Sequence, residues 1–334
     1  MFHPSHPRVR PVGRCWTRRA TAAIAVAALA LTGCGESEPD PTASPTTTET
    51  TSAAFPVTVA ADNGEFTFDA APERIVSLSP SATEMLYAVG AGDQVVAVDP
   101  FSYYPPEAPV EDTLATFPEP SIEAISAFEP DLVVFATEPG TLASSLESIG
   151  ITAVQFDAVA DVEAIYAQVE RIGAITGHVA QAVQVVATMQ ADLAAVLADL
   201  PEQTEGLTYF HELGPDLYTV TSNTFIGQVY GLLGLANIAD GAGSAAGTDY
   251  PQMNAEEIVS TNPDPIFLAD ANCCGESPET VAARDGWSDV TAVVNNGVVV
   301  VDEDLASRWG PRIVQFLEEV VTALRARADA LATA

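Results

Sequence analysis

The sequence has 334 residues, enough for two domains of ordinary size, and its charge is strongly one-sided. All 46 acidic residues lie after position 34, with seven of the twelve arginines, and the chain has no lysine. A surface with that excess of carboxylates repels nucleic acid and anionic lipid, so we expect neither as a partner.

The amino terminus predicts export and membrane attachment. Residues 1–19 are basic, and residues 20–31 form an apolar run with the length of a signal-peptide core. The run ends in Leu31-Thr32-Gly33-Cys34. That tetrapeptide resembles the lipobox of bacterial lipoproteins, which implies removal of a signal peptide of residues 1–33 and lipidation of Cys34. Ordinary secretory cleavage is the alternative.

A polar segment follows this signal. Residues 35–54 are rich in Thr, Ser, Pro and Glu and have no large apolar side chain. Such a composition cannot build a core, so residues 34–56 are predicted to be a lipidated, disordered tether.

Strands then alternate with helices, which predicts a first α/β lobe over residues 57–175. Its predicted strands are 74–80, 94–98, 132–136 and 153–156, and its predicted helices include 81–90 and 162–175. In a parallel sheet, loops at the carboxyl ends of the strands bind ligands. Residues 101–106, FSYYPP, form one such loop.

A long helix is predicted over residues 176–201, because apolar residues recur there every three or four positions from Val179 to Leu200. Thr176-Gly177 is a candidate cap, and Pro201 closes the helix. At about 1.5 Å per residue, it is long enough to join two lobes as a rigid strut.

The remaining residues, 202–334, predict a second α/β lobe. Two hairpins are expected, one pairing 207–212 with 216–221 and one over 293–301 around Asn295-Asn296-Gly297. A helix over 224–235, a loop over 241–249 and a strand over 265–269 lie between them. The last helix is predicted to begin at Gly310-Pro311 and to run to about Ala328.

The two lobes contain an internal repeat. Residues 121–137 and 254–270 match at a constant offset of 133, with five of seventeen positions identical, including Glu123/Glu256 and Asp131/Asp264. Each copy reads as a short helix, a Pro-Asp turn and an apolar strand. We interpret the match as a duplicated unit, with chance likeness of two α/β units as the alternative.

The sequence does not suggest an enzyme. Beyond the signal peptide it has two histidines, His178 and His211, and no nucleophile elbow, P-loop or dinucleotide-binding glycine motif. Two separate histidines also fall short of a zinc or manganese site, so no metal or other cofactor of the protein's own is expected. A ligand that carries its metal inside a chelator needs no such residues.

Two features point to particular side chains. Cys273 and Cys274 are adjacent and, outside the cell, are expected to form a disulfide, with two free thiols as the alternative. Aromatic residues in proline-containing loops, with an Arg-Trp pair before the last helix, predict a pocket for a large, partly apolar small molecule. Packing beneath loops is the alternative for any one of them. These residues are Tyr103, Tyr104, Phe117, Tyr250, Arg308 and Trp309.

Three stretches together with the lipobox and the strut resemble one family. They are RIVSLSPSATEMLYAVGAGDQVVAVD at 74–99, SIEAISAFEPDLVV at 121–134 and RWGPRIV at 308–314. The chain thereby resembles, over residues 57–328, the substrate-binding proteins of ABC importers for cobalamin and ferric siderophores. The resemblance implies the class III solute-binding-protein type, with two Rossmann-like α/β lobes, a single long helix joining them and a shallow cleft between them.

The resemblance also implies roles. Tyr104, Phe117, Tyr250 and Arg308, with Trp309 beside them, would contact a metal chelate; a corrinoid is favoured, and a ferric siderophore or haem is the alternative. Glu123 and Glu256 would dock on the permease dimer, which works with an ATPase. The protein would act as a monomer, lipid-anchored to the outer face of the cell membrane. A tethered sensor or scaffold that uses this fold without transport is the other possibility.

Overall fold

The computed structural model describes residues 55–117, 119–137 and 140–333. The predicted signal peptide, Cys34 and the tether up to residue 54 lie outside these residues. The described chain begins with an antiparallel hairpin of β1 (Val57–Ala61) and β2 (Gly64–Phe68) that the sequence analysis missed. Its Asp62-Asn63-Gly64 turn is a sequence typical of hairpins.

The first lobe is built on a parallel sheet. Its elements are β3 (Ile75–Leu78), α1 (Pro80–Ala88), β4 (Val95–Val98), α2 (Ile122–Ser126), β5 (Leu132–Phe135), α3 (Leu142–Ser148), β6 (Thr152–Gln155) and α4 (Val162–Thr176). The strand order is β4-β3-β5-β6. Every residue of β3 and β5 is buried, as expected for strands covered by helices on both faces.

The backbone helix α5 (Val179–Ala198) is shorter than predicted. Thr176 and Gly177 end α4 instead of capping α5, because Gly177 adopts φ +84°, which a helix terminus favours and a helix interior excludes. The two helices then pack closely: a Cβ on Gly173 would lie 2.3 Å from that of Ala182. By length and composition α5 could cross a membrane, yet it packs between α4 and the last helix, α13 (Ile313–Thr333), in one continuous core.

The second lobe repeats the sheet of the first. Its elements are β7 (Thr208–Glu212), α6 (Phe225–Leu232), β8 (Ala236–Asn237), α7 (Asp240–Ala246), α8 (Ala255–Thr261), β9 (Ile266–Leu268), α9 (Ala271–Cys274), α10 (Pro278–Ala282), α11 (Thr291–Val294), β10 (Val298–Val300), α12 (Glu303–Ser307) and α13 (Ile313–Thr333). The strand order, β10-β9-β7-β8, is that of the first lobe, and all neighbours are parallel.

Both hairpins predicted in this lobe are wrong. Residues 216–221 form no strand; Tyr218 instead makes a single bridge with Gln252. Residues 291–294 are helical, and β10 pairs in parallel with β9. Asn296 therefore lies in the turn that connects a helix to a strand. The apolar Val293-Val294 pair predicted a strand, because the spacing of apolar residues cannot distinguish a short helix from a short strand over so few residues. The predicted loop over 241–249 also contains most of α7.

Paired contacts confirm the internal repeat. The turn residues Glu129 and Asn262 both adopt positive φ, at 49° and 53°. The aspartates two positions further on, which are identical in the two copies, make the same contact in each lobe. Asp131 accepts a hydrogen bond from the amide of Arg74 at 3.0 Å, and Asp264 accepts one from the amide of Thr208 at 3.1 Å. Each aspartate thereby fastens its turn to the start of the lobe's first strand.

Candidate functional site

A cavity of about 670 Å³ opens at the carboxyl ends of β3 and β5. The first lobe supplies its floor and one wall, and the segment that begins with α12 supplies the other wall from the second lobe. Its lining includes Leu78, Ser79, Phe101, Tyr103, Phe117, Phe135, Thr137, Glu303, Asp304, Ser307, Arg308 and Trp309. The site therefore lies where ligands bind in parallel sheets, at the carboxyl edge.

Aromatic side chains dominate the mouth of this cavity. Phe117 is 85% exposed and Phe101 is 57% exposed, so both present apolar rings to solvent. When a partly apolar ligand covers such side chains, binding is favoured by about 25 cal/mol for each Å² of apolar surface removed from water. The mouth is thus suited to a large molecule with an apolar face.

A buried ion-pair cluster joins the lobes behind the cavity. Glu84 on α1 is 4% exposed and accepts hydrogen bonds from two arginines of the second lobe. Its Oε1 lies 3.2 Å from Arg308 Nη1 and 2.5 Å from Arg312 Nη2, and its Oε2 lies 2.9 Å from Arg312 Nε. The carboxylate therefore fixes α12 and α13 against the first lobe.

The same arginines hold the tyrosines of the 101–106 loop. Arg308 donates to the carbonyl of Phe101 at 3.1 Å and lies over the ring of Tyr103 at 4.7 Å. Arg312 covers the ring of Tyr104 at 3.8 Å. Cation–π contacts of this type stabilise both partners. Tyr104, predicted as a ligand contact, thus packs under Arg312 and does not line the cavity.

The electrostatics of the cavity follow from these contacts. Arg308 also pairs with Asp304 at 2.8 Å, so its charge is balanced by two carboxylates. The Tyr103 hydroxyl donates a hydrogen bond to Asp304 at 2.5 Å. The pKa of Tyr103 is raised, mainly because the hydroxyl is partly buried and secondly because it donates this bond. Glu303 has a raised pKa because it is partly buried and lies near other carboxylates. Among the described lining residues, no positive charge is left unbalanced.

The other predicted residues are not among those that line the cavity. Tyr250 is 53% exposed on the second lobe and is not among the lining residues. Glu123 and Glu256 are exposed at the second positions of α2 and α8, and neither carboxylate has a hydrogen-bond or ion-pair partner within the described ranges. Cys273 and Cys274 are joined by a disulfide at the end of α9.

The second lobe carries its own buried polar cluster. Glu212, at the end of β7, accepts from Arg284 at 2.7 Å, and Arg284 also donates to Glu276 at 2.7 Å. Both carboxylate oxygens of the buried Asp270 lack a hydrogen-bond partner in the described chain. Burial, reinforced by Glu212 and Glu276, raises the pKa of Asp270 to about 7.

The histidines do not form a catalytic centre. His211 is fully buried, its Nδ1 lies 2.9 Å from the hydroxyl of Tyr230, and burial lowers the pKa of His211 to about 3. His178 lies just before α5. No group of three or more His, Cys, Asp or Glu residues in the described ranges is arranged to hold a metal ion.

Sequence reasoning missed three residues that shape the site. Glu84 lies in a stretch that otherwise reads as an ordinary amphipathic helix, and its burial between Thr83 and Met85 is seen only in the structure. Phe101 lies in the loop that the analysis had singled out, and Asp304 lies four residues before Arg308, a spacing that favours a pair on one helix face.

Comparison with known proteins assigns the chain to a protein family. The family model of the periplasmic binding protein matches residues 75–305. The chain is 34% identical to the uncharacterized ABC transporter substrate-binding lipoprotein YvrC of Bacillus subtilis over 280 residues, covering 81% of this chain and 86% of that one. It is 33% identical to a cobalamin-binding protein of Halobacterium salinarum over 282 residues, covering 81% of this chain and 75% of that one.

The fold is also that of solved structures. The periplasmic vitamin B12 binding protein BtuF of Vibrio cholerae superposes with a TM-score of 0.62 at 27% identity, covering 77% of this chain and 98% of that one. These matches confirm the class III architecture and an extracytoplasmic place of action. The chain belongs to the periplasmic binding protein family, as a non-enzymatic substrate-binding protein of an ABC importer.

Proposed function

We propose that this protein captures a corrinoid and delivers it to its importer. The observation that carries the proposal is the cavity itself, with exposed aromatic rings at its mouth and an arginine whose charge is already balanced by Glu84 and Asp304. A corrinoid is a large chelate with apolar faces and an amide-rich rim, which this mixture of rings, hydroxyls and carboxylates suits. Relatives named for binding cobalamin or vitamin B12 add support.

Anionic ferric siderophores fit this cavity less well. Their recognition depends on cationic side chains that are free to pair with the ligand. Arg308 and Arg312 are both engaged by Glu84, and Glu303 and Asp304 add negative charge at the rim. Binding an anionic chelate would require breaking buried ion pairs.

Haem fits less well for a different reason. Haem iron is held by His, Cys, Met or Tyr side chains. Among the described residues that line the cavity, Tyr103 alone carries one of these groups, and its hydroxyl is bonded to Asp304. A corrinoid brings its metal inside its own ring, so the proposal needs no cofactor from the protein.

The proposal includes a lipid anchor and a permease contact. Cleavage at the lipobox would attach the protein to the outer face of the membrane through Cys34. Glu123 and Glu256, one on each lobe and both unpaired, would meet cationic groups on the two permease subunits. The resemblance to importer-binding proteins is what supports these two finer statements.

The test is a ligand panel on the purified full-length protein in detergent. Isothermal titration with cyanocobalamin, haem, an anionic ferric catecholate and a neutral ferric hydroxamate measures each affinity directly. We expect one cyanocobalamin per chain, with quenching of the fluorescence of Trp309, and weaker binding of the anionic chelates. Trp309→Phe should abolish most of the quenching without abolishing the heat. Tighter binding of the ferric catecholate or haem than of cyanocobalamin would overturn the assignment.

A further inference from the structure

The Cys273–Cys274 disulfide lies over the carboxyl edge of the second sheet. Asn272, just before it, lines a groove with Val301, which follows β10. Glu276, just after it, is bonded to Arg284, which in turn holds Glu212 at the end of β7. The segment thus crosses from the end of one strand to the end of another, and both cysteines between these points are exposed.

That edge of the second sheet faces the cleft. β10 and β9 are parallel neighbours, so their carboxyl ends lie at the same edge. The chain leaving β10 enters α12 and reaches Arg308 and Trp309, which line the cavity. The disulfide, which follows β9, therefore lies on the same side of the second lobe as α12, beyond the residues that line the cavity itself.

The internal repeat leads to the same place independently. The offset of 133 pairs Thr137 with Asp270 and Thr141 with Cys274. In the first lobe, Ala136, Thr137 and Leu142 of this segment line the cavity. The disulfide accordingly occupies the second-lobe counterpart of a cavity wall.

The loop is anchored in a way that suits a contact surface. Glu212, Arg284 and Glu276 form a chain of charge-assisted bonds beneath it, and Gly275 closes α9 at φ +77°. A disulfide offers polarisable sulfur atoms and no hydrogen-bond donor. Sulfur makes favourable contacts with the edges and faces of conjugated rings.

We propose that the Cys273–Cys274 disulfide is a ligand-contacting element of the second lobe, which packs against the conjugated ring of the bound chelate. This inference rests on the proposed function, and it adds an oxidised cysteine pair to the binding surface. A consequence is that the affinity depends on the oxidation state of the pair.

Two measurements on the full-length protein test it. The first is the rate at which dithiothreitol opens the disulfide, followed by alkylation and mass spectrometry, with and without saturating cyanocobalamin. A ring lying on the sulfur atoms excludes the thiolate, so we expect reduction to slow at least several-fold. This measurement uses the wild-type chain and does not depend on the folding of any variant.

The second measurement is the affinity of Cys273→Ser/Cys274→Ser for cyanocobalamin, with Asn272→Ala as a control in the same loop. The double variant should bind about three- to tenfold more weakly, as expected for the loss of sulfur–ring contacts, whereas the control should match the wild type. Equal reduction rates with and without ligand, or equal affinity in the folded double variant, would overturn the inference and leave the proposed function standing. Failure of the oxidised wild type to bind any chelate would overturn both.

Discussion

The carboxyl edges of the two sheets differ, although the sheets share one strand order. In the first lobe this edge carries Leu78, Phe135 and Thr137, all uncharged, and it opens into the cavity. In the second lobe the corresponding strands end at Glu212 and lead into Asp270, both buried and charged or chargeable. The backbone-fastening aspartates, by contrast, are the same in both lobes. The two copies of the unit thus share the contacts that close their turns and differ at the carboxyl edges of their sheets.

The first and largest effect is expected at Glu84, which has no charged counterpart in the second lobe. The fifth residue after the helix cap is Glu84 in α1 and the apolar Val229 in α6. Glu84→Gln leaves Arg308 and Arg312 without their shared carboxylate, which should lower the free energy of unfolding by about 3 kcal/mol, since half of a buried ion pair is costly to leave alone. Urea unfolding measures the loss.

Glu170→Gln is the matched control, because Glu170 is exposed on α4 and makes no ion pair in the described chain. It should change the unfolding free energy by less than about 0.5 kcal/mol. A loss of that small size in Glu84→Gln as well would show that the interlobe cluster does not stabilise the fold.

The second prediction concerns the shared aspartates. Asp131→Ala and Asp264→Ala each remove a carboxylate that accepts from backbone amides, and each should cost about 1 to 3 kcal/mol. Asp264→Ala should cost more, because Asp264 also pairs with Arg327 at 3.1 Å. The double variant should show the sum, since the two sites share no partner.

Urea unfolding with Asp289→Ala as an exposed control checks this pair. If one substitution lowered the free energy of unfolding and the other did not, the two turns would not be equivalent, because one of them would be stable without its aspartate.

The third prediction uses the charge that distinguishes Asp270 from its counterpart Thr137. The pKa of Asp270 is raised to about 7 in the folded protein, above its ordinary value near 3.8. The folded state therefore keeps its proton between about pH 4 and pH 7, where the unfolded state has released it, so stability is lost as the pH rises from about 4 to about 7. Asp270→Asn removes this loss, so the gain in stability of the variant over the wild type should be larger at pH 8 than at pH 5, by on the order of 2 kcal/mol.

Unfolding at the two pH values, with Asp289→Asn as the control, measures the difference. A gap between Asp270→Asn and wild type that stays constant from pH 5 to pH 8 would mean that Asp270 does not titrate in this range.

Most of the fold and part of the site could be predicted from the sequence. Buried strands such as Leu132–Phe135 were predictable because continuous apolar runs bounded by turns admit few other readings. The Val293-Val294 segment was not, because tertiary packing decides between helix and strand over four residues. Phe117, Arg308 and Trp309 were assigned to a pocket that the structure forms, whereas the ring of Tyr104 lies under Arg312 and outside the residues that line this pocket. That contact depends on a partner more than 200 residues away, which no local pattern contains.

The smallest expected effects, and those that bear most directly on the symmetry of the two lobes, concern Glu123 and Glu256. The repeat places both at the second position of a short helix capped by Ser121 or Asn254. The helix dipole favours a carboxylate there and by itself accounts for one such glutamate, whereas an unpaired glutamate at the matching point of both lobes fits a pair of docking charges better. If each meets one permease subunit, Glu123→Ala and Glu256→Ala should lower uptake of labelled cyanocobalamin in cells by similar factors, about tenfold each for a contact of 1 to 2 kcal/mol. The double variant should lose more of its uptake, while the affinity of the purified protein for cyanocobalamin stays unchanged.

Glu257→Ala is the control for the helix, because it removes the neighbouring carboxylate, which accepts a hydrogen bond from Asn254. Normal uptake by the double variant at equal expression, or a loss of ligand affinity instead of uptake, would show that these glutamates are not the docking charges.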